Sequence, residues 1–184
     1  MSRTAPAMLL VVFSASIVPL AGCATSHPAG TPQTVTAATP QQKALLLDQM
    51  KQLSGIWETV DDKGHSTVVA VFSVTSGGTA VREILFPGGQ HEMTNLYHMD
   101  GPTMVMTHYC TQGNQPRLRA VADKPGTIDF KLDSVTNMTS PGQMYMGGLT
   151  IVVRDPDTIE ERWVAFQNDK VGEHEVFVLK RKKA

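Results

Sequence analysis

The chain has 184 residues, and its 16 lysines and arginines nearly balance 17 aspartates and glutamates, which gives a formal net charge of −1. That balance argues against nucleic acid as a partner, because nucleic-acid-binding domains carry a strong basic excess. The length suits a single domain with a sizeable core. Two cysteines are too few for a disulfide framework, so the core must supply the stability.

Residues 1–22 are predicted to be a lipoprotein signal peptide. Arg3 provides a positive start, and the apolar stretch from Met8 to Leu20 is too short to cross a hydrocarbon core of roughly 30 Å comfortably. Leu20-Ala21-Gly22-Cys23 resembles the bacterial lipobox, which implies cleavage before Cys23 and lipidation of its thiol. The alternative is an ordinary cleaved signal peptide that leaves Cys23 unmodified.

The expected location follows from this leader. Residue 24 is Ala; an Asp at this position would have resembled the signal that retains lipoproteins in the inner membrane. The protein is therefore expected in the cell envelope, anchored by lipid to the outer membrane and facing the periplasm. The membrane is thus a predicted partner through the N-terminal lipid, and nucleic acid is not.

The rest of the chain divides into a tether and one domain. Residues 23–40 are rich in Thr, Ala and Pro and have no apolar periodicity, which predicts a lipidated cysteine followed by a flexible tether. Residues 41–184 are predicted to form the domain. It begins with a helix over 41–53, since apolar residues recur there at helical spacing at Leu45, Leu46, Met50 and Leu53.

After Gly55 the pattern changes to short β-rich runs separated by turn signals such as Gly77-Gly78 and Asp100-Gly101. No helical pattern interrupts them, so sequential antiparallel pairing is expected. About eight to ten such strands are best accommodated by an up-and-down barrel, whose closure removes exposed edges. The predicted strands begin near Ile56, Thr67, Ala80, Glu92, Thr103, Arg117, Thr127, Met144, Thr158 and Glu175.

One hairpin concentrates the chemically interesting side chains. If Asp100 and Gly101 are the central residues of a type I′ turn, Met93 faces His108 across the hairpin, and alternation sorts the side chains onto two faces. The face richer in soft and apolar groups is the predicted interior. It carries His91, Met93, Asn95, Tyr97, Met104, Met106, His108 and Cys110.

Three kinds of site fit this face. A soft metal site is conceivable, but no paired metal-ligand spacing supports it. A hydrolase-like or metal-dependent enzyme would use His108 and Cys110, although no orienting carboxylate is evident beside them. The third possibility, a ligand cavity with apolar walls and a few polar groups, fits a barrel of this size best.

The cavity hypothesis predicts a small, partly apolar and possibly amphipathic ligand. Arg117 is expected to point inward and to grip a ligand carboxylate, with Glu83 as its counter-charge. No catalytic residue, metal ligand or cofactor is predicted. The predicted ligand-binding residues are His108, Arg117, Asn95, Tyr97, Met93, Met106, Cys110 and Glu83.

Two resemblances support the barrel. Gly55-Ile56-Trp57 after a short helix resembles the calycin group, which includes the lipocalins; there the Trp packs at the closed end against a basic residue from the last strand, which implies Lys180 or Arg181 here. Thr107-His108-Tyr109-Cys110 followed by Gly113-Asn114-Gln115-Pro116-Arg117 resembles a family of bacterial exported proteins with no assigned reaction. The resemblance implies the barrel alone.

Two further alternatives remain open at this point. His174 lies near the position where haem-binding barrels related to nitrobindin carry their haem-ligating histidine, but no other mark of that family accompanies it. A structural or assembly lipoprotein that acts through its outer surface is also possible, and it would expose an apolar patch.

Overall fold

The computed structural model describes residues 34–183, which form a closed antiparallel barrel of ten strands with two short helices at its N-terminal side. Each strand pairs with its neighbours in sequence, and β1 pairs with β10, which confirms the predicted all-β, up-and-down barrel. The elements are α1 (Pro40–Leu45), α2 (Leu47–Lys51), β1 (Gly55–Val60), β2 (Ser66–Thr75), β3 (Ala80–Leu85), β4 (Met93–Asp100), β5 (Thr103–Tyr109), β6 (Gln115–Val121), β7 (Thr127–Thr136), β8 (Tyr145–Asp155), β9 (Thr158–Gln167) and β10 (Lys170–Arg181).

The predicted signal peptide, Cys23 and most of the predicted tether lie outside the described residues, so those predictions stay predictions. Residues 34–39 of the predicted tether form neither helix nor strand, and its last residue, Pro40, begins α1. None of the helices within residues 34–183 is long and apolar enough to cross a lipid bilayer.

The predicted helix over 41–53 is present as two shorter pieces. The Thr39 side chain accepts from the Gln42 backbone N–H, and the Gln42 side chain accepts from the Thr39 backbone N–H, so α1 starts with a capping box and Pro40 in the first turn. At Leu46 the backbone leaves helical geometry (φ −118°, ψ −88°), which separates α1 from α2. The apolar side is buried only from Leu46 onward: Leu46 and Met50 are fully covered, whereas α1 itself has no buried residue.

Nine of the ten predicted strand starts lie within two residues of the observed ones, and the exception is the last strand. The strand predicted from Glu175 begins at Lys170. Its first half is exposed, so the apolar alternation on which the prediction relied is weak there. β10 pairs with β9 along its length, whereas β1 closes the barrel through only Trp57↔Arg181 and Glu58↔Lys180.

The β4–β5 hairpin has the predicted faces but a different register. Asn95, not Met93, pairs with His108, because Asp100 pairs with Thr103 and the turn is centred on Gly101-Pro102. A type I′ turn on Asp100-Gly101 would have placed Pro102 in the ladder, where its missing N–H is a defect. The register differs from the prediction by two residues, and an even difference leaves every side chain on the predicted face.

The closed end of the barrel is built on Trp57 and Arg181. The Trp57 indole N–H donates to the Leu53 carbonyl at 2.7 Å, and the Arg181 guanidinium lies 4.3 Å from the centre of the Trp57 ring. Arg181 also donates to the carbonyls of Gln52 and Ser54, which follow the end of α2. The arginine therefore ties the last strand, the first strand and the helical segment together.

Candidate functional site

A cavity of about 480 Å³ occupies the end of the barrel opposite Trp57, within the range typical of small-molecule sites. Its wall is mostly apolar and includes Leu85, Phe177 and Trp163. Glu173 and Glu175 also line the cavity, but they are exposed to solvent and therefore lie at its mouth. Several soft or polar groups also line it, among them His91, Met93, His108, Cys110, Met144 and Met146.

Beneath this cavity, three polar side chains form a row across three adjacent strands. Glu83 pairs with Asn95, and Asn95 pairs with His108, so all three side chains point to the same interior level. The Asn95 amide N donates to Glu83 Oε2 at 2.7 Å, and the Asn95 amide O lies 2.7 Å from His108 Nδ1. The Tyr97 hydroxyl donates to the same Glu83 oxygen at 2.5 Å. All four residues are buried, with at most 1% of their surface exposed.

A second buried carboxyl group, that of Glu161, meets this row from the far side of the barrel. It accepts a hydrogen bond from the Trp163 indole N–H at 3.1 Å and lies within hydrogen-bonding reach of Glu83. Burial raises the pKa of Glu161 well above its usual value, and the neighbouring Glu83 carboxylate raises it further. Burial also raises the pKa of Glu83, but the hydrogen bonds from Asn95, Glu161 and Tyr97 oppose that rise.

One proton held between the two carboxyl groups satisfies the geometry. Oε1 of Glu83 and Oε1 of Glu161 each have no other partner among the described residues, so a proton on Glu161 donated to Glu83 pairs both atoms. In that arrangement Glu83 accepts from Tyr97, Asn95 and Glu161. Tyr97 remains a donor because burial raises the pKa of its hydroxyl well above the ordinary value.

This network determines which nitrogen of His108 carries the proton. Since the Asn95 amide N is committed to the Glu83 carboxylate, the Asn95 amide O must face His108 and accept from Nδ1. Nε2, on the other side of the ring, is then a bare acceptor in neutral histidine. Burial lowers the pKa of His108 to about 4, so the ring is neutral at physiological pH.

The Nε2 atom of His108 is a hydrogen-bond acceptor that the network leaves unpaired. It is screened from solvent and has no hydrogen-bond partner within residues 34–183. An unpaired buried acceptor costs about 1–3 kcal/mol. The His108 ring forms part of the cavity lining and packs against Trp163 with their ring centres 5.2 Å apart. A strong acceptor therefore lies where the apolar cavity meets the polar network.

The structure separates the predicted ligand-binding residues into three groups. His108, Met93 and Cys110 line the cavity. Asn95, Tyr97 and Glu83 lie below it and hold His108 in place. Met106 is fully buried in the core and does not line the cavity.

Arg117 does not point inward, so the prediction that it grips a ligand carboxylate is wrong. Its neighbours Leu118 and Ala120 fill the interior positions of β6, and Arg117 alternates with them onto the outer surface. There its side chain is 41% exposed and lies near Asp100 and Asp133. The predicted pairing of Arg117 with Glu83 is therefore also wrong, since Glu83 is inside the barrel.

The histidine–cysteine pair is not arranged as a nucleophile and its base. His108 Nδ1 is bonded to Asn95 and Nε2 has no partner, so neither ring nitrogen bonds the thiol of Cys110. Within the described residues no three His, Cys, Asp or Glu side chains converge as a metal site requires. His174, the residue of the haem alternative, is part of β10. Its neighbours Glu173 and Glu175 line the cavity, but His174 does not.

Two residues of the site, Glu161 and Trp163, were absent from the predicted set. The sequence does contain a signal for them, because Glu161 alternates with Ile159, Trp163 and Ala165 along β9 and so shares their inward face. A charged residue on an inward face of otherwise apolar residues is rare enough to mark a site. Its partner Glu83 is 78 positions earlier in the chain, and only the closed barrel brings the two together.

Comparison with known proteins gives a likeness of fold. No family model and no curated protein matches the chain. Among solved structures the chain is similar to Rv2717c from M. tuberculosis, with a TM-score of 0.51 and 15% sequence identity over 79% of this chain and 99% of that one. At that identity the likeness supports the β-barrel architecture alone.

Proposed function

We propose that this protein binds a small, partly apolar molecule in the open end of its barrel. The observation that carries the proposal is a cavity of about 480 Å³ whose mostly apolar lining includes His108, a buried side chain with an unpartnered Nε2. Apolar walls with one or two well-placed polar groups are the usual composition of small-molecule sites. The Glu83–Asn95 pair holds the His108 ring in one orientation, as a preformed site requires.

The proposal includes a place in the cell envelope. Leu20-Ala21-Gly22-Cys23 at the end of an apolar stretch supports lipidation of Cys23, and Ala24 supports the outer membrane over the inner one. The tether proposed for residues 23–40 would hold the barrel close to the membrane surface on its periplasmic side. A ligand entering the cavity would then come from the periplasm or from the membrane itself.

A binding protein accounts for the site better than an enzyme does. A general base works best with a pKa near the working pH, whereas the pKa of His108 is lowered to about 4. Cys110 has no hydrogen bond from His108 that would activate it as a nucleophile. The polar network therefore serves to position an acceptor.

The test is to identify what the protein carries when purified from its own host. Native mass spectrometry of the purified chain is expected to reveal a bound small molecule, which solvent extraction then releases for identification. The blocking variant is Ala165→Phe, because Ala165 lines the cavity and a phenyl group there fills it. The matched control is Arg117→Ala, which removes an outer side chain. A molecule retained equally by both variants would refute the proposal.

A further inference from the structure

This inference rests on the proposed function. The acceptor and acidic groups around the cavity restrict the chemical class of ligand that it can bind. At its base is His108, whose buried Nε2 has no hydrogen-bond partner in the described residues, and below it lie the buried carboxyl groups of Glu83 and Glu161. At its mouth are Glu173 and Glu175. The lining residues, all from the described part of the chain, include neither lysine nor arginine.

We propose that the cavity selects a neutral, largely apolar molecule whose hydroxyl or N–H group donates a hydrogen bond to Nε2 of His108, and that it discriminates against carboxylates. Phenols, alcohols and secondary amines with an apolar body belong to this class. Fatty acids, the ligands that an inward Arg117 would have suited, do not.

The requirement for a donor follows from the fixed tautomer. The protonated Nδ1 of His108 donates a hydrogen bond to the Asn95 amide O, so Nε2 carries no proton and can only accept. An ether or ester oxygen offers another lone pair and cannot satisfy it. A hydroxyl or N–H group can, and in doing so it relieves a buried acceptor that has no partner in the described residues.

Discrimination against anions follows from the surrounding charge. A carboxylate at the base would meet the lone pair of neutral His108 and lie above the acidic side chains of Glu83 and Glu161 in a region of low dielectric. The carboxylate could bind there only if His108 gained a proton, and burial lowers the pKa of His108 to about 4. Near the mouth, Glu173 and Glu175 repel anions in addition.

Three ligands of nearly one shape test the inference by competition. N-phenyl-1-naphthylamine, a neutral fluorophore with one N–H group, is the reporter expected to occupy the cavity. At pH 7.5, 4-hexylphenol, 4-hexylanisole and 4-hexylbenzoate are added as competitors. The phenol is expected to compete roughly ten-fold better than the anisole, the difference that one buried hydrogen bond makes. The benzoate is expected to compete more weakly than the phenol.

The variant His108→Leu removes the acceptor and keeps an apolar side chain. It is expected to bind the anisole as well as the wild type does, or better, and to lose the preference for the phenol. Should that variant fail to fold, the phenol-to-anisole ratio of the wild type decides the matter alone. Equal competition by all three ligands, or strongest competition by the benzoate, overturns the inference and leaves the cavity's function standing. If neither fluorophore nor competitors bind the wild type, the proposed function itself fails.

Discussion

His108 shows how one side chain is positioned by four others. Its Nδ1 hydrogen-bonds to Asn95, and the amide of Asn95 is oriented by Glu83. Glu83 is in turn held by hydrogen bonds from Tyr97 and Glu161. Each link restricts the next, because each partner can only donate or only accept in that position. The orientation of Nε2 is thus a property of the whole network.

The stability of the barrel is expected to fall in acid because of His108. Its pKa is about 4 in the folded state and about 6.5 in an unfolded chain, so the unfolded chain binds a proton first as the pH falls. The stabilisation is therefore complete above pH 6.5 and is lost between about pH 6.5 and 4, at most roughly 3 kcal/mol. Chemical denaturation at pH 7.5 and 4.5 measures it, and His108→Leu should lose less stability over that interval than the wild type. An equal loss in both proteins would contradict the assignment.

The shared proton predicts the opposite pH dependence at Glu161. A raised carboxyl pKa favours folding below the unfolded value near 4.5, and that contribution is lost as the pH rises. In Glu161→Gln the amide oxygen accepts from Trp163 and the amide N–H donates to Glu83 at every pH. The variant should therefore gain stability relative to the wild type between pH 5 and 8, as measured by thermal unfolding. A variant less stable than the wild type by the same amount at both values would exclude a shared proton.

Sequence periodicity predicts the interior face of the β4–β5 hairpin correctly. The other parts of the site could not be predicted, for physical reasons. Asn95, Tyr97 and His108 lie on the predicted interior face although the predicted turn is wrong, because the register differs by an even number of residues. The inward prediction for Arg117 rests on the chemistry that its guanidinium would supply, whereas its alternation with Leu118 along β6 favours the outer surface. The proximity of Glu161 to Glu83 depends on the curvature of the closed barrel, which no local pattern records.

At the scale of elements, the closed end depends on a glycine where the first strand begins. Gly55 has φ +137°, a conformation that L side chains rarely adopt, and a Cβ atom there would lie 2.8 Å from the Arg181 guanidinium. The Gly-x-Trp pattern therefore has a physical reason: the glycine leaves room for the arginine that stacks on Trp57. This contact holds β1, β10 and the end of α2 together.

The substitution Gly55→Ala is expected to destabilise the protein by about 2–4 kcal/mol, because backbone strain adds to displacement of Arg181. Gly148→Ala is the matched control. Gly148 also lies in a strand, but its φ is not positive and an added Cβ would make ordinary contacts of 3.5 Å or more. Denaturant unfolding compares the two, and a similar, small effect in both would show that Gly55 has no special role.

At the scale of the whole molecule, one end of the barrel is closed by packing and the other opens into the cavity. Helices, Trp57 and Arg181 fill one end, and the cavity opens at the other, with the buried polar network between them. Any ligand therefore enters without disturbing the tightly packed end. This division also explains why the fold could be predicted from turns and alternation, whereas the ligand class required the hydrogen-bond network.

Lipid anchoring is a separate prediction about the whole protein. The full chain is expected to partition into the detergent-rich phase of a Triton X-114 extraction of its host, and Cys23→Ser is expected to move it into the aqueous phase. The same fluorophore affinity in both forms would indicate that the anchor sets location and not the site. Detergent partitioning that is unchanged in Cys23→Ser would contradict a lipid on that residue.

The most direct test of the ligand-binding cavity is a fluorescence titration with N-phenyl-1-naphthylamine. The wild type and Arg117→Ala are expected to give the same saturable enhancement, with a Kd on the order of 1 μM, the affinity that about −8 kcal/mol of binding free energy provides. Ala165→Phe, with its fold verified by circular dichroism, is expected to bind at least ten-fold more weakly. Equal enhancement in wild type and Ala165→Phe would contradict binding in this cavity.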